Sequence, residues 1–325
     1  MLIANLAFFA LSCLVLVLSG TWLVKSLTKI ACFLRITEFS AAFIIMAIAT
    51  SLPELFVGIS SALEKNPAFS LGNIIGANII DLTLLVGIFS MIGRGINIKD
   101  SKIKKDAFIM CIILILPVIL FLIGNSLSRI DGIFLILVFC LYSYWIIKKG
   151  KKQKKELGYS VKKGDIFLNV FWDALLTISL FIVCLVVLFF SSNYVVHYAN
   201  LLAIDLIIPP IMIGLFMISI GTTLPELTFG SRAVLMGHSE MALGDQIGTI
   251  IVNSTLIIGI TALIFPITAN ISLFLISGVF MLLVAFLFAT FMESGSKLSI
   301  REGIALIFLY IFFVILEVYI SGLNI

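Results

Sequence analysis

Residues 49–88 read ATSLPELFVGISSALEKNPAFSLGNIIGANIIDLTLLVGI and place a proline, a glutamate and an aspartate inside an otherwise apolar stretch. Nearly the same text, GTTLPELTFGSRAVLMGHSEMALGDQIGTIIVNSTLIIGI, returns at residues 221–260. The two stretches align without a gap at a constant offset of 172 residues, so that Glu54 matches Glu226. A gapless match of this length indicates an internal duplication of the chain.

The composition is that of an integral membrane protein. Hydrophobic residues make up 62% of the 325 residues and charged residues only 12%, whereas soluble domains carry about 25% charge. Apolar runs of roughly 20 residues follow one another with short polar joints, and they lack the alternation of barrel strands. The pattern predicts an all-α integral membrane protein surrounded by the lipid bilayer.

The apolar runs predict ten transmembrane helices, bounded by charged, glycine or proline joints. The first run has no basic leader and no cleavage site, so it is interpreted as a spanning helix and not as a signal peptide. The least distinct boundary is the polar joint SSNYVVHYANLLAID. The predicted helices cover residues 2–24, 38–63, 68–92, 106–124, 130–148, 166–191, 206–235, 240–265, 269–292 and 302–322.

The duplication divides these helices into two sets of five. The prediction is a first five-helix repeat over residues 1–148, a basic linker over 149–165 and a second five-helix repeat over 166–325. Because five is odd, the second repeat enters the membrane with the opposite polarity. Inverted repeats with interrupted helices near the bilayer midplane are typical of secondary transporters, whose binding site lies between the repeats.

The basic residues predict the orientation, because cytoplasmic loops retain lysine and arginine. With the N-terminus outside, 19 of the 21 basic residues fall in cytoplasmic joints and only Lys65 and Arg129 fall outside. Both termini are therefore expected outside the cell membrane, and the 149–165 loop is expected in the cytoplasm. The run KKGKKQKKELGYSVKK is interpreted as a linker that obeys this rule and not as a lipid- or nucleic-acid-binding patch. No nucleic acid and no obligate protein partner is evident.

The repeated motifs combine an interrupted helix with oxygen ligands. Pro53 and Pro225 each remove a backbone N–H, so the carbonyl four residues earlier loses its helical partner. In each repeat a threonine precedes the glutamate by four residues, so that both side chains share a helix face. The next helix of each repeat carries two glycines four residues apart, a pattern that lets backbones approach closely. Each repeat is thus expected to present hydroxyl, carboxylate and carbonyl oxygens together.

Carboxylates at this depth indicate a cation site. An ionised carboxylate at mid-bilayer costs at least about 2.5–3.5 kcal/mol, so Glu54, Asp81 and Glu226 are expected to line a polar cavity or to hold an ion. An all-oxygen set without histidine or cysteine suits Ca²⁺ or Na⁺ better than zinc or copper. The alternative is that the acids pair with lysines inside the bundle, but no lysine or arginine lies near the centre of a predicted helix. The five cysteines are scattered singly and are interpreted as packing residues.

The motifs ATSLPEL and GTTLPEL, each followed by LGxxxG and by Asp or Asn, resemble the signature repeats of the cation/calcium antiporter superfamily, in particular its sodium/calcium exchanger branch. The proton-coupled branch usually reads Gly-Asn-Ala/Thr-x-Glu at the glutamate, and this chain does not. The resemblance implies a diamond of cation sites between the second, third, seventh and eighth helices. It also implies that the first and sixth helices slide as a pair to switch access.

The resemblance implies a ligand set as well. Glu54 and Glu226 would be the central Ca²⁺ ligands, with Asp81 and Asn253 beside them. The family often carries Asn in the first repeat and Asp in the second, an order that is exchanged here. It also favours serine after the second glycine, where Ala77 has no oxygen and Thr249 keeps one, so one flanking Na⁺ site is expected to be weakened. The flanking Na⁺ sites would use Thr50, Ser51, Thr222, Thr223 and the carbonyls of Ala47 and Ser219.

The predicted function is exchange of Ca²⁺ for Na⁺ by alternating access, with no cofactor besides the transported ions. The alternative is a Ca²⁺/H⁺ antiporter, and a passive cation channel or an intramembrane enzyme are more distant possibilities. A channel needs a continuous pore, typically in a symmetric oligomer, whereas the paired site lies within one subunit. No GxSxG, HExxH or P-loop pattern is present, so no enzymatic activity is predicted. Asp245 is interpreted either as a vestibule residue or as a structural polar group.

Overall fold

The computed structural model describes residues 2–33, 46–98, 101–157, 168–294 and 297–323. Within these ranges the chain is helical apart from one two-stranded ribbon, one isolated bridge and short joints. Eight of the described helices are long and apolar enough to cross a membrane, and a bent helix pair would add a ninth. The predicted all-α membrane class is therefore confirmed.

The first half begins with a long helix and ends with another. Residues 46–50 are helical and directly precede α2, while the start predicted for this helix, residues 38–45, lies outside the described residues. The third helix changes from α- to π-type hydrogen bonding over Asp81–Leu85 and back again. The elements are α1 (Leu2–Phe33), α2 (Leu52–Leu63), α3 (Ala68–Ile92, with α-helical Ala68–Ile80 and Val86–Ile92), β1 (Ile96–Asn97), α4 (Ser101–Gly124) and α5 (Arg129–Leu157).

The second half repeats this order. Its second helix, α7, is interrupted twice, by a π segment and by the break at Thr223. Its third helix, α8, has a π segment at Asn253–Ile257, the position that matches Asp81–Leu85. The elements are α6 (Leu168–Leu206), α7 (Pro210–Ile213, π-helical Gly214–Ile218, Ser219–Thr222 and Leu224–Leu235), α8 (Ser239–Ile264), α9 (Ile271–Ser294), β2 (Lys297–Leu298) and α10 (Ile300–Leu323).

Three helices run further than their apolar segments predict. The helix α1 continues to Phe33, and α5 continues to Leu157, so residues 149–157 of the predicted linker are helical. The polar joint predicted after residue 191 is also helical, because α6 reaches Leu206. Hydropathy marks only where the apolar run ends, whereas a helix continues wherever polar residues find solvent or a partner. In α6, Ser192 finds one: its hydroxyl lies 2.9 Å from that of Ser60.

The four helices that carry the repeated motifs pack together at the centre of the molecule. The helices α2 and α3 contact α8 and α7 as well as each other, and α1 packs along α6 beside α2 and α7. The crossing of α3 and α7 is so close that a Cβ on Gly72 or Gly76 would overlap the backbone carbonyls of Ile211 or Leu215. The expectation that the paired glycines allow close backbone approach is confirmed for Gly72 and Gly76 of the first repeat.

Two strand contacts relate the halves to each other. In the ribbon, Ile96 of β1 is opposite Leu298 of β2, and the isolated bridge joins Leu127 to Ile267. An offset of 171 residues converts Ile96 into Ile267 and Leu127 into Leu298. Each contact is therefore the counterpart of the other, as expected when two halves are related by a two-fold operation.

Two glycine contacts repeat the same relation. A Cβ on Gly87 would lie 2.7 Å from the carbonyl oxygen of Gly303, where α3 meets α10. A Cβ on Gly132 would lie 2.7 Å from the carbonyl oxygen of Gly259, where α5 meets α8. The duplication thus extends to the helix crossings that flank the central four helices.

Capping boxes at the starts of α5 and α10 also match. The Ser128 amide donates to the Asp131 carboxylate at 2.8 Å, and the Asp131 amide donates to the Ser128 hydroxyl at 3.3 Å. Ser299 and Glu302 form the same reciprocal pair at 2.6 and 3.3 Å. The S-x-x-D/E pattern satisfies N–H groups that a helix start leaves without partners. This start signal is present in the sequence, although it is independent of the apolar runs.

Candidate cation-binding site

The site is built around two breaks in the helices. The helical residues 46–50 end at Ser51, and α2 starts at Leu52 with its proline and glutamate in the first turn. The second repeat has the same arrangement after Thr223, where the two parts of α7 are bent by 41°. Proline is tolerated in a first turn, where its missing N–H has no helical partner to lose. The break therefore places each glutamate at a helix N-terminus, where free N–H groups favour negative charge.

Four carboxylates lie in the interior beside these breaks. Glu54, Asp81, Glu226 and Asp245 are at most 2% exposed, and their oxygens accept no hydrogen bond from the described residues. Asp81 interacts electrostatically with Glu54 and Asp245, and Glu226 interacts with all three of the others. Buried carboxylates of like charge destabilise one another unless a cation or a proton compensates them. The cluster therefore requires compensating cations or protons.

The predicted threonine ligands of the two breaks make contacts with the opposite repeat. Thr50 Oγ1 is 3.2 Å from Thr249 Oγ1, which joins the first break to α8. Thr222 lies beside the Glu54 carboxylate, but its hydroxyl donates to Asn73 Oδ1 at 3.0 Å and so joins the second break to α3. The structure thus brings threonines of each break to the third helix of the opposite repeat.

The predicted carbonyl ligands already accept hydrogen bonds from their own helices. The Ala47 carbonyl accepts from the Ser51 amide and from Thr50 Oγ1, both at 3.2 Å. The Ser219 carbonyl accepts from the Thr223 amide at 3.0 Å and from Thr223 Oγ1 at 2.9 Å. A carbonyl oxygen has two lone pairs, so these contacts compete with a cation for the same oxygens. In contrast, Ser51 Oγ is buried and has no hydrogen-bond partner among the described residues.

Asn253 belongs to an amide network that sequence reasoning missed. Its Nδ2 donates to Asn78 Oδ1 at 3.1 Å, and Asn78 Nδ2 donates to Ser254 Oγ at 3.0 Å. Asn253 Oδ1 is buried and has no partner among the described residues, so it remains available as a ligand. The match of Asn78 in the second repeat is Ile250, and this difference between the repeats was the available signal.

The acids do not form a compact metal centre by themselves. Within the described ranges, no three acidic, histidine or cysteine side chains converge closely enough to hold a metal ion. Cations here would therefore use hydroxyl, amide and carbonyl oxygens together with one or two carboxylates each. Weak, mixed coordination of this kind suits hard ions such as Na⁺ and Ca²⁺, which accept variable oxygen shells.

Comparison with known proteins assigns the family. The model of the family described as sodium/calcium exchanger protein matches residues 4–148 and 176–319 of the chain. These two ranges cover most of the chain and one lies in each half. The chain therefore belongs to the sodium/calcium exchanger family, and the predicted resemblance is confirmed.

Individual relatives extend over nearly the whole chain. The sodium/calcium exchanger MaX1 of Methanosarcina acetivorans is 26% identical over 358 residues, covering 98% of this chain and 100% of the relative. An uncharacterized membrane protein of Methanocaldococcus jannaschii is 28% identical over 313 residues, covering 96% of this chain and 97% of the relative. The solved sodium-calcium exchanger NCX_Mj, from crystals soaked with 2.5 mM Na⁺ and 10 mM Sr²⁺, superimposes with a TM-score of 0.65 at 25% identity over 96% of this chain and 98% of that chain. The fold is that of NCX_Mj, and the chain is a cation/calcium antiporter of a transporter family.

Proposed function

We propose that the protein exchanges Ca²⁺ for Na⁺ across the cell membrane, at a site enclosed by α2, α3, α7 and α8. The observation that carries the proposal is the pair of matched glutamates, Glu54 and Glu226, buried at helix breaks without a hydrogen-bond partner among the described residues. A cation held between them supplies the positive charge that their burial requires.

The proposed ligands divide into a centre and two flanks. The centre uses both glutamates and takes Ca²⁺, with Asp81 and the free Oδ1 of Asn253 beside it. The flanks take Na⁺, and the same ions compete for the central oxygens when Ca²⁺ leaves. The flank on the α2 side uses Thr50, Ser51, Thr249 and the Ala47 carbonyl, and the flank on the α7 side uses Thr222, Thr223 and the Ser219 carbonyl.

The proposed architecture is ten transmembrane helices in two inverted five-helix repeats, residues 1–148 and 166–325, with the 149–165 linker in the cytoplasm and both termini outside. The family model that matches each half, and the reciprocal strand and glycine contacts, support the two repeats. The distribution of lysine and arginine supports the orientation.

Alternating access is proposed to use α1 and α6 as one moving pair. The two helices pack along each other and touch both broken helices. A Cβ on Gly20 of α1 would lie 3.0 Å from Pro53 Cγ and 3.4 Å from Pro225 Cγ, so α1 spans the two breaks. A shift of the pair would change the contacts of both breaks at once, which couples the opening of one side to the closing of the other.

The alternative coupling ion is H⁺, and one observation favours it: Ala77 has no side-chain oxygen for the α7 flank, whereas its match Thr249 offers one to the α2 flank. The deciding experiment is Ca²⁺ flux in proteoliposomes, first under an imposed Na⁺ gradient at fixed pH and then under a pH gradient without Na⁺. Flux with the Na⁺ gradient is expected. Flux driven only by the pH gradient would overturn Na⁺ coupling in favour of Ca²⁺/H⁺ antiport.

A further inference from the structure

Asp245 is a fourth interior carboxylate that the proposed ligand set does not use. It lies on α8, is 2% exposed, and neither of its oxygens accepts a hydrogen bond from the described residues. It interacts electrostatically with Asp81 and Glu226, so it lies near the central acids. A structural polar residue at this depth is expected to have hydrogen-bond partners, and Asp245 has none in the described part of the chain.

The two-fold relation places Asp245 at one flank of the site. Its match in the first repeat is Asn73, 172 residues earlier, and Asn73 Oδ1 accepts the hydroxyl of Thr222 at 3.0 Å. The equivalent contact in the other half would join Asp245 to Thr50. Thr249, one helical turn beyond Asp245, does lie 3.2 Å from the Thr50 hydroxyl, so this face of α8 meets the first break.

The two flanks differ in which oxygens are already engaged. At the α7 flank, Asn73 Oδ1 accepts from Thr222, and the Thr223 hydroxyl donates to the Ser219 carbonyl at 2.9 Å. At the α2 flank, Ser51 Oγ, the match of Thr223, is 1% exposed and has no partner among the described residues, and the same holds for Asp245. The α7 flank is therefore neutral and its hydroxyls are engaged, with only Asn73 Nδ2 lacking a partner among the described residues, whereas the α2 flank combines a free hydroxyl with a free carboxylate.

We infer that Asp245 is a cation ligand of the α2 flank and that this flank is the stronger of the two Na⁺ sites. A carboxylate attracts Na⁺ more strongly than an amide does, and in a buried site the Coulomb energy is poorly screened. The fourth carboxylate also changes the charge balance of the cavity: four Na⁺, or one Ca²⁺ with two monovalent cations, neutralise it. The inference rests on the proposed function only in taking Na⁺ as the flanking ion.

The test is Na⁺ binding to the purified full-length protein in detergent, measured by isothermal titration without Ca²⁺. Asp245→Asn gives the second repeat the amide of the first and is expected to weaken the tighter Na⁺ binding about tenfold, as the loss of one close charge predicts. Asn73→Asp is the matched variant, since it adds the same acid at the other flank. The double exchange, Asp245→Asn with Asn73→Asp, restores the four carboxylates and is expected to recover much of the lost affinity.

Size-exclusion profiles and unchanged thermal unfolding show whether each variant is folded. Asp245→Glu keeps the charge, so it is expected to retain more Na⁺ affinity than Asp245→Asn if the carboxylate is the ligand. Equal Na⁺ affinity of the wild type and a folded Asp245→Asn variant would overturn the assignment, and so would a wild type that binds no Na⁺. Na⁺ binding that depends on Asp245, in a protein without Na⁺-driven Ca²⁺ flux, would instead overturn only the proposed function.

Discussion

The two halves of the molecule carry the same motif but differ one turn beyond each glutamate. In the first half, a Cβ on Gly58 would lie 2.7 Å from Thr261 Oγ1 and 3.1 Å from Ser70 Oγ. In the second half, the equivalent Gly230 faces the ring of Phe89. Thr261 is itself the match of Phe89, so one pair of equivalent positions supplies a hydroxyl on one side and an aromatic ring on the other.

We expect ions to reach the site past these two glycines, and the difference then gives the two predicted approaches different chemistry. The helices α2 and α7 run in opposite directions under the proposed architecture, so the two glycines lie towards opposite faces of the membrane. Beside Gly58, the buried hydroxyls of Ser70 and Thr261 lie 3.2 Å apart, and hydroxyls are expected to solvate a passing cation. The approach past Gly230 is covered by a fully buried ring. The duplication sets the helix arrangement, and single residues then make its two sides unequal.

The largest expected effect follows from what the halves share. Glu54→Gln or Glu226→Gln removes one of the two matched charges, and either change is expected to abolish Ca²⁺ transport nearly completely while folding is retained. The measurement is ⁴⁵Ca²⁺ uptake into proteoliposomes under a Na⁺ gradient. Glu64→Gln is the matched control, because Glu64 caps the same helix α2 but is exposed. Normal uptake by either interior variant would remove the glutamates from the site.

The shared features were also the ones that the sequence could predict. The motifs at Glu54 and Glu226, the glycine crossings and the all-α class all follow from local patterns that repeat at a constant offset. The bounds of α5 and α6 did not follow, because hydropathy does not report a helix that continues in polar residues. The contact between Phe89 and Gly230 was equally hidden, since it depends on how α3 meets α7 and not on any pattern within either helix.

The proposed membrane orientation of the two halves is tested by cysteine labelling, in which each site either reacts or does not. The proposed orientation places the 149–165 linker in the cytoplasm and the C-terminus outside. Single cysteines at Ser160 and Asn324, on a background without native cysteines, are expected to react with an impermeant thiol reagent in intact cells only at Asn324. Permeabilised cells provide the control, because both sites then become reactive. Labelling of Ser160 alone in intact cells would invert the orientation.

The unequal approaches are tested by giving position 261, in the second half, the residue of its match in the first half, Phe89. Thr261→Phe places a ring against Gly58 and is expected to slow Ca²⁺ flux by about tenfold or more, because the hydroxyl-lined approach becomes apolar and filled. Ca²⁺ binding to the detergent-solubilised protein is expected to change much less, since the ring is not a neighbour of the proposed ligands. Thr261→Val, which removes the hydroxyl with little change in volume, separates the loss of polarity from the blockage.

Equal loss of binding and flux in Thr261→Phe would mean that the ring disturbs the site itself, and unchanged flux would mean that ions do not pass Gly58. Either result would break the comparison between the two approaches. A large effect of Thr261→Phe with a small effect of Thr261→Val would sharpen it, because steric closure and not solvation would then distinguish the two sides.

The smallest expected effect concerns the flanks, where Thr249 has an oxygen and its match Ala77 has none. Ala77 lies one turn beyond Asn73, which already accepts the Thr222 hydroxyl, so Ala77→Ser adds an oxygen near that threonine, as Thr249 does near Thr50. Ala77→Ser is expected to lower the Na⁺ concentration for half-maximal Ca²⁺ exchange by a few-fold. This corresponds to the free energy that about one neutral polar contact contributes. Thr249→Ala is the reciprocal variant and is expected to raise it. Shifts in the same direction for both variants would show that these positions act through packing and not as Na⁺ ligands, because only a ligand role predicts opposite signs from adding and removing one oxygen.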